Sequence, residues 1–465
     1  MQEVTLTQIL AAREERVRKQ HMLLTTYQCP IICFTMNIAG PIKTSPLIER
    51  AFKNGLELLD NKLPQNHIRF YSTETSVTGC LAMYAVNSDA ITLKKICTEI
   101  EDATPLGRLF DLDVLDKNGL KLERYLVNGK DRNCIVCGAP GRNCAARRLH
   151  TVSELQTVTN DIIYKHFAVA DRAHIALLAM QCLIDEVVTT PKPGLVDKRN
   201  NGSHLDMNLD TFILSAHALR PYFEECVKIG QETKHLNPED TFSYLREAGI
   251  LAEKTMYTAT GGVNTHKGAI YSLGILCGAL GRLWTPEKPI APITTLLKHC
   301  SEMASPHVTA DFAKLTHAYS AGQQLYLTEG ITGIRGEAAA GFPSVAKIGL
   351  PVFQNALEEG LTHNDAGVLV LLHLITHVTD TNLHHRGGRA GATYAATSTR
   401  TLLNTFRCPS HEQIEELDDA FIARNLSPGG CADLLAIIYF LYALNTATTF
   451  SQTKFPKVFL PASKS

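Results

Sequence analysis

Along the first third of the chain, apolar positions recur with a period of two in some stretches and three to four in others; beyond it only the helical rhythm persists. Thr7 is placed to cap a helix over 8–24, and an extended run follows at 31–38. A helix over 46–59, strands at 68–73 and 79–86, a helix over 90–101 and a strand at 109–115 come next, the last turned by Asp116-Lys-Asn-Gly119. This order predicts an N-terminal α+β domain, a ferredoxin-like β-α-β-β-α-β arrangement, followed by a Cys-rich tail. Helical patterns at 163–188, 208–230, 240–257, 266–283, 308–327, 362–378 and 432–446, separated by Gly- and Pro-bearing loops, predict a C-terminal all-α domain. The change over Ser153–Asp161 sets expected domains of 1–157 and 158–465.

A chain of 465 residues is too long for one ordinary core, which agrees with two domains. Its formal net charge of -1 excludes recognition of nucleic acid or anionic membrane by overall field, so an anionic ligand must be met by local cations. The most apolar run, Leu434 to Leu444, falls short of the roughly 20 residues that cross a bilayer. The N-terminus carries no basic segment leading into an apolar one. Thirteen scattered cysteines, an odd number, suit a reducing compartment, and the expected location is the cytoplasm.

Candidate chemistry lies at strand ends and glycine-bearing loops. In Gly107-Arg108-Leu-Phe-Asp111-Leu-Asp113, strand alternation puts both aspartates on one face, as a Mg²⁺ site for a di- or triphosphate or as the polar face of an amphipathic strand. Arg108 is positioned to neutralise phosphate, and the segment resembles the Asp-Leu-Asp strand of pterin pyrophosphokinases. Cys134, Cys137, Cys144 and His150 have the spacing of a structural Cys₃His zinc site, with three reduced thiols as the alternative. In the helical part, Pro191 and Pro193 exclude helix from a stretch holding Lys192, Asp197, His204 and Asp206. Four more stretches follow: Thr260-Gly-Gly-Val-Asn264-Thr-His266-Lys267-Gly, Gly333-Ile-Arg335-Gly-Glu337, Asp380-Thr-Asn382 through Arg386, and Ser427-Pro-Gly-Gly-Cys-Ala-Asp433. Each reads alone as a turn, and helix capping accounts for Asp433; together they argue for one pocket.

The first 150 residues resemble the apo-citrate lyase phosphoribosyl-dephospho-CoA transferases in Ala12-Arg-Glu-Glu-Arg-Val, Thr35-Met-Asn-Ile-Ala-Gly-Pro, Pro105 through Val114, and Arg132 through His150. The last 300 resemble the triphosphoribosyl-dephospho-CoA synthases in four of the stretches above, those at Pro191, Thr260, Gly333 and Ser427, with Cys431 where that pattern has Ser. The resemblance implies a bifunctional transferase. ATP and 3'-dephospho-CoA would yield triphosphoribosyl-dephospho-CoA and adenine, and the product would then be attached to a serine of the acyl carrier (gamma) subunit of citrate lyase with release of pyrophosphate. Asp197, Asp206 and Glu337 would supply carboxylates for charge and metal, and His204 or His266 the acid. Lys192, Lys267, Arg335 and Arg386 would hold phosphates, with Asn264, Asp380 and Asn382 in the same substrate pocket. Asp111 and Asp113 with Mg²⁺, aided by Arg108 and Lys43, would serve the second step. The rival readings are an adenine-releasing hydrolase, the same chemistry serving malonate decarboxylase, and a zinc-stapled adaptor without turnover.

Overall fold

Thr5, not Thr7, begins the first helix. Its hydroxyl accepts from the Gln8 amide while the Gln8 side chain accepts from the Thr5 amide, whereas Thr7 has apolar Leu10 in the corresponding place. In the computed structural model, which describes residues 2–446, this helix is α1 (Leu6–Tyr27). It is followed by β1 (Ile31–Met36), α2 (Pro46–Lys62), β2 (Ile68–Ser76), β3 (Gly79–Val86), α3 (Ala90–Ala103) and β4 (Phe110–Leu115). The four strands form one antiparallel sheet in the order β2-β3-β1-β4, with β4 at an edge. One face of β4 buries Phe110, Leu112 and Val114. On that side Phe34 stacks on Phe52 of α2 at 4.7 Å and meets Phe110 edge-on at 5.3 Å. On the other, Leu23 and Leu24 of α1 pack on Ile31, Cys33, Met83 and Ala85. Register sets Thr35 against Asp111 and Cys33 against Asp113, so both aspartates share the face that α1 covers in part.

A short helix, α4 (Gly141–Arg147), lies in the Cys-rich tail, and α5 (Val152–Val188) runs unbroken through the expected 157/158 junction. The chain divides into two compact units between Ala170 and Asp171, within α5.

The second unit is helical throughout. It comprises α6 (Leu209–Thr233), α7 (Pro238–Ala259), α8 (Lys267–Leu283), α9 (Ile293–Ala313), α10 (Ala321–Glu329) and α11 (Gly333–Ala339). Then come α12 (Leu350–Glu358), α13 (His363–His377), α14 (Thr381–Thr405), α15 (His411–Ile422) and α16 (Gly429–Thr446). The helix expected at 308–327 is two: α9 passes through Pro306, and Ser320 caps a new start at α10. The stretches at Gly333 and Thr381 are helical, not loops, because Asp380 caps α14 and the bend at Gly388 falls inside that helix.

Helices α8 and α16 are apolar around most of their circumference and form the centre of the unit, where Leu434 through Leu441 are all at most 2% exposed. At 18 residues α16 is longer than its apolar run suggests. By length and composition α16 and α5 are both able to cross a membrane, although α16 is buried inside the protein. Helices α6 and α8 cross almost backbone to backbone: a Cβ on Gly230 would lie 2.1 Å from the Gly278 carbonyl oxygen. Gly230→Ala therefore has to spread the crossing, and a loss of about 1–3 kcal/mol is expected from overpacking. Thermal unfolding of the variant beside the parent checks this; equal midpoints would mean that the crossing opens without cost.

Candidate functional site

The stretch after α5 is built around carboxylates that fold it. Asp197, 3% exposed, accepts from the Lys192 amide through Oδ2 (2.9 Å) and from the Arg199 and Asn200 amides through Oδ1 (2.7 and 3.1 Å). Beneath it, Asp418 accepts from the Gly194 amide (2.8 Å), the Arg199 guanidinium (2.7 Å) and the Asn200 amide group (2.8 Å). These bonds brace the loop, which turns Lys192, His204 and Asp206, but not Asp197, toward a cavity of ≈ 980 Å³.

The other stretches reach the same cavity. Asn264, His266, Lys267 and Gly268 come from the head of α8, Arg335 and Glu337 from α11, Asp380, Asn382 and Arg386 from the start of α14, and Gly429, Gly430 and Asp433 from α16. Helix N-termini gather here because single carboxylates join them. Asp380 accepts from the Asn382 and Leu383 amides of α14 through Oδ1 (2.7 and 3.1 Å) and from the Cys431 amide of α16 through Oδ2 (2.8 Å). Asp433 accepts from the Ala269 amide at the head of α8. Gly268 is what lets it approach, since a Cβ there would sit 1.9 Å from Asp433 Oδ2.

The two candidate histidines differ sharply. The His204 Nδ1 accepts from Arg386 Nη2 (3.1 Å) and its Nε2 pairs with Ser427 Oγ (2.9 Å), so both ring nitrogens are engaged. Arg386 also donates to the Ser203 carbonyl (2.8 Å) and Asn425 Oδ1 (2.6 Å), which makes the pair an orienting clamp. His266, 3% exposed, pairs through Nδ1 with Ser215 Oγ (2.8 Å), while its buried Nε2 has no partner. Burial, with Arg386 second, pushes the His204 imidazole down to about 4. Burial, with Lys192 second, pushes His266 down to about 3. Both rings are neutral near neutral pH.

Carboxylates shift the other way. Asp433 is pushed well above the usual range by burial, then by Glu186 and Asp380, against the pull of the Ala269 amide. Burial raises Asp380 as well, and it raises Glu186 despite the opposing ion pair with Lys192. The remaining groups are more open: Lys267 pairs with Glu253 (2.8 Å), Arg335 lies 3.7 Å from Asp311, Glu337 accepts from Ser344 Oγ (2.6 Å), and Asn264 accepts from the Lys267 amide (3.3 Å). Asp206 is exposed at the rim. Nothing in the sequence marks Glu186, which lies inside a long helix with no motif around it. Helix capping alone accounts for Asp433 in sequence, and only its burial sets it apart.

In the first unit Asp111 accepts weakly from Thr35 Oγ1 (3.3 Å), and Asp113 pairs with Lys121 (2.7 Å). Lys43 donates to the Ile38 carbonyl, and its ammonium is lowered by burial and then by Arg13. Arg108 is committed elsewhere, donating to the Asn133 carbonyl beside Arg132 and Arg124. Cys134, Cys137, Cys144 and His150 converge with ligand atoms all within 4.8 Å of one another.

Comparison with known proteins adds a second line of observation. Residues 172–451 match the family model of the ATP:dephospho-CoA triphosphoribosyl transferases, and residues 4–166 that of the apo-citrate lyase phosphoribosyl-dephospho-CoA transferases. Protein CitXG of Haemophilus influenzae is 36% identical over 453 residues, covering 94% of this chain and 96% of that protein. Protein CitXG of Leuconostoc mesenteroides subsp. cremoris is 33% identical over 461 residues, covering 95% and 97%. A probable 2-(5''-triphosphoribosyl)-3'-dephosphocoenzyme-A synthase of Citrobacter koseri is 41% identical over 272 residues, 57% of this chain and 89% of that one.

The histidine shifts carry a pH consequence. An unfolded chain protonates both imidazoles near pH 6.5, whereas the folded protein leaves His204 neutral to about 4 and His266 to about 3. The unfolded state thus binds more protons between these limits, and their contribution to stability falls as pH drops. Raised carboxylates act with the opposite sign, so the difference between proteins is the useful quantity. From pH 7 to 4.5 His266→Gln should lose less stability than the parent, by about 2 kcal/mol. Parallel melting-temperature curves for the two proteins over that range would contradict a buried neutral His266.

Proposed function

The chain belongs to the family that joins an apo-citrate lyase phosphoribosyl-dephospho-CoA transferase to an ATP:dephospho-CoA triphosphoribosyl transferase, and we propose that this bifunctional transferase builds the citrate lyase prosthetic group and attaches it. In the helical unit a hydroxyl of 3'-dephospho-CoA attacks C1' of the ATP ribose. A C–O bond forms as the C–N bond to adenine breaks, the hydroxyl proton passes to a base, and adenine leaves with a proton from an acid. In the α+β unit a serine hydroxyl of the acyl carrier subunit attacks the phosphate nearest the new ribose: a P–O bond to serine forms, the hydroxyl proton is released, and the P–O bond to pyrophosphate breaks. The α+β unit is read as ferredoxin-like, with the strand order β2-β3-β1-β4 in support, and the protein is read as cytoplasmic, with thirteen free cysteines in support.

The observation that carries the first half is a single large cavity holding both an unpartnered neutral His266 Nε2 and a buried carboxyl, Asp433, whose proton affinity is raised. A carboxyl that keeps its proton is a competent acid for a leaving base, as in glycoside cleavage. We assign Asp433 that proton and His266 Nε2, the open acceptor, the hydrogen bond that orients the attacking hydroxyl. His204 serves instead to orient Arg386. The triphosphate meets Arg386, Lys267 and Arg335, of which the last two exchange surface ion pairs for phosphate. Glu337, held by Ser344, faces the charge that develops on the ribose. Asp197 and Lys192 support the loop and the Glu186 pair.

Asp111 and Asp113, two oxygen donors that share a face of β4 with Lys121 paired to Asp113, would hold magnesium there, and Asp206 and Glu337 offer carboxylates to it among the residues that line the cavity. When bound, the ion neutralises phosphate charge. Lys43 and Arg13, which lie near each other in the same unit, supply further positive charge for phosphate.

Adenine release measured with ATP and Mg²⁺ should require 3'-dephospho-CoA; release to water without it would establish the hydrolase reading instead. Asp433→Asn should slow adenine release by about 10²–10⁴, while carrier labelling from supplied triphosphoribosyl-dephospho-CoA continues. Asp111→Asn should do the reverse, keeping adenine release and losing carrier labelling. Equal damage to both steps by either variant would refute the division of labour.

A further inference from the structure

Outside both proposed active sites, the Cys-rich tail of the first unit brings together four groups that neither transfer step uses. Cys134 and Cys137 lie on a tight turn in which the Cys134 amide donates to the Ala139 carbonyl (2.7 Å) and the Gly138 amide to the Cys134 carbonyl (3.0 Å), with Gly138 at φ +73°. Cys144 sits in α4. That helix ends at Arg148, in the left-handed region at φ 49°, and the Leu149 amide turns back to the Cys144 carbonyl (3.2 Å), which swings His150 toward the thiols. The Cys137 and Cys144 sulfurs are then 3.4 Å apart, and His150 Nε2 is 3.3 Å from Cys137 Sγ.

We propose that Cys134, Cys137, Cys144 and His150 bind one structural Zn²⁺. Zn–S bonds of about 2.3 Å in a tetrahedron place sulfurs about 3.8 Å apart, a spacing that four ligand atoms within 4.8 Å of one another meet with small shifts. Three soft thiolates and one imidazole select zinc over magnesium or calcium. Without a cation, three thiolates so close repel one another; with it the site carries a single negative charge, in a segment that also holds Arg142, Arg147 and Arg148. Four protein ligands leave no open position, so the metal holds structure and takes no part in transfer.

What it holds is the cover on an exposed sheet edge. Arg132, two residues before Cys134, donates to the Phe110 carbonyl on edge strand β4 (2.8 Å) and pairs with Glu101. Asn133, next to Cys134, accepts from Arg108. The zinc turn thereby anchors the segment that fastens Arg108 and closes the edge of the strand bearing Asp111 and Asp113.

The test is metal content of the full chain, purified with reductant and without chelator. One zinc per chain is expected by elemental analysis, retained in Cys408→Ser, an exposed cysteine outside the cluster, and lost in Cys137→Ser and in Cys144→Ser. Because loss of a structural ligand can also cost solubility, the parent is exchanged with Co²⁺ as well, where intense visible bands with thiolate charge transfer mark a tetrahedral sulfur-rich site. Zinc well below one equivalent, zinc unchanged in both variants, or a weak octahedral cobalt spectrum would each overturn the proposal. So would a count below thirteen free thiols in denatured, chelator-treated protein, which would reveal a disulfide in place of the metal. None of these readouts depends on either transfer reaction.

Discussion

Carboxylates removed from water are tolerated only where amides or cations take the place of solvent, and the helical unit is arranged around that requirement. Asp380 meets it by accepting from the first turns of α14 and α16 at once, and Asp433 by accepting from the head of α8. Each bond satisfies a helix-end amide that would otherwise lack a partner. Together they bring three helix N-termini to one cavity wall. The positive ends of helices favour anions, so the arrangement that stabilises buried charge also suits an anionic ligand. A chain with net charge -1 has no overall field with which to attract an anion, so these helix ends and the local cations of the cavity stand in for it.

The same requirement separates the roles of like residues. His204 and His266 are both buried imidazoles, but one has each nitrogen engaged and the other leaves Nε2 open. Asp197 and Asp433 are both buried aspartates, yet the first is surrounded by amides of its own loop, while the second stands near Glu186 and Asp380, which with burial raise its proton affinity. Chemical competence follows from how much hydrogen-bonding and charge compensation the fold leaves incomplete. In the α+β unit the corresponding incomplete feature is the aspartate pair on β4, facing the α1 side of the sheet with lysine paired to one member only.

Much of this architecture was written in local pattern. Alternation along β4 determined that Asp111 and Asp113 share a face, and the apolar runs of α8 and α16 determined that these helices lie at the centre. The spacing of Cys134, Cys137, Cys144 and His150 anticipated their meeting, because short loops close at little entropic cost. Proline and glycine marked the stretches that reach the cavity, although two of them proved to be helix starts, since a capping aspartate and a helix N-terminus look like a turn until the following residues are packed.

Destinations of individual side chains were decided only in three dimensions. Asp418 lies 224 positions from the Gly194 amide it accepts from, and Ser427 lies 223 from His204. Partners at that separation leave no trace in periodicity, so spacing could nominate Asp197 and His204 but not reveal that their bonding capacity was already taken. Glu186 had no motif to mark it, and its importance comes from burial beside Lys192 and Asp433. Sequence determined which residues had the chemistry and roughly where the chain would turn. Tertiary packing decided which of them remained unsatisfied, because only packing removes water and supplies, or withholds, its replacement.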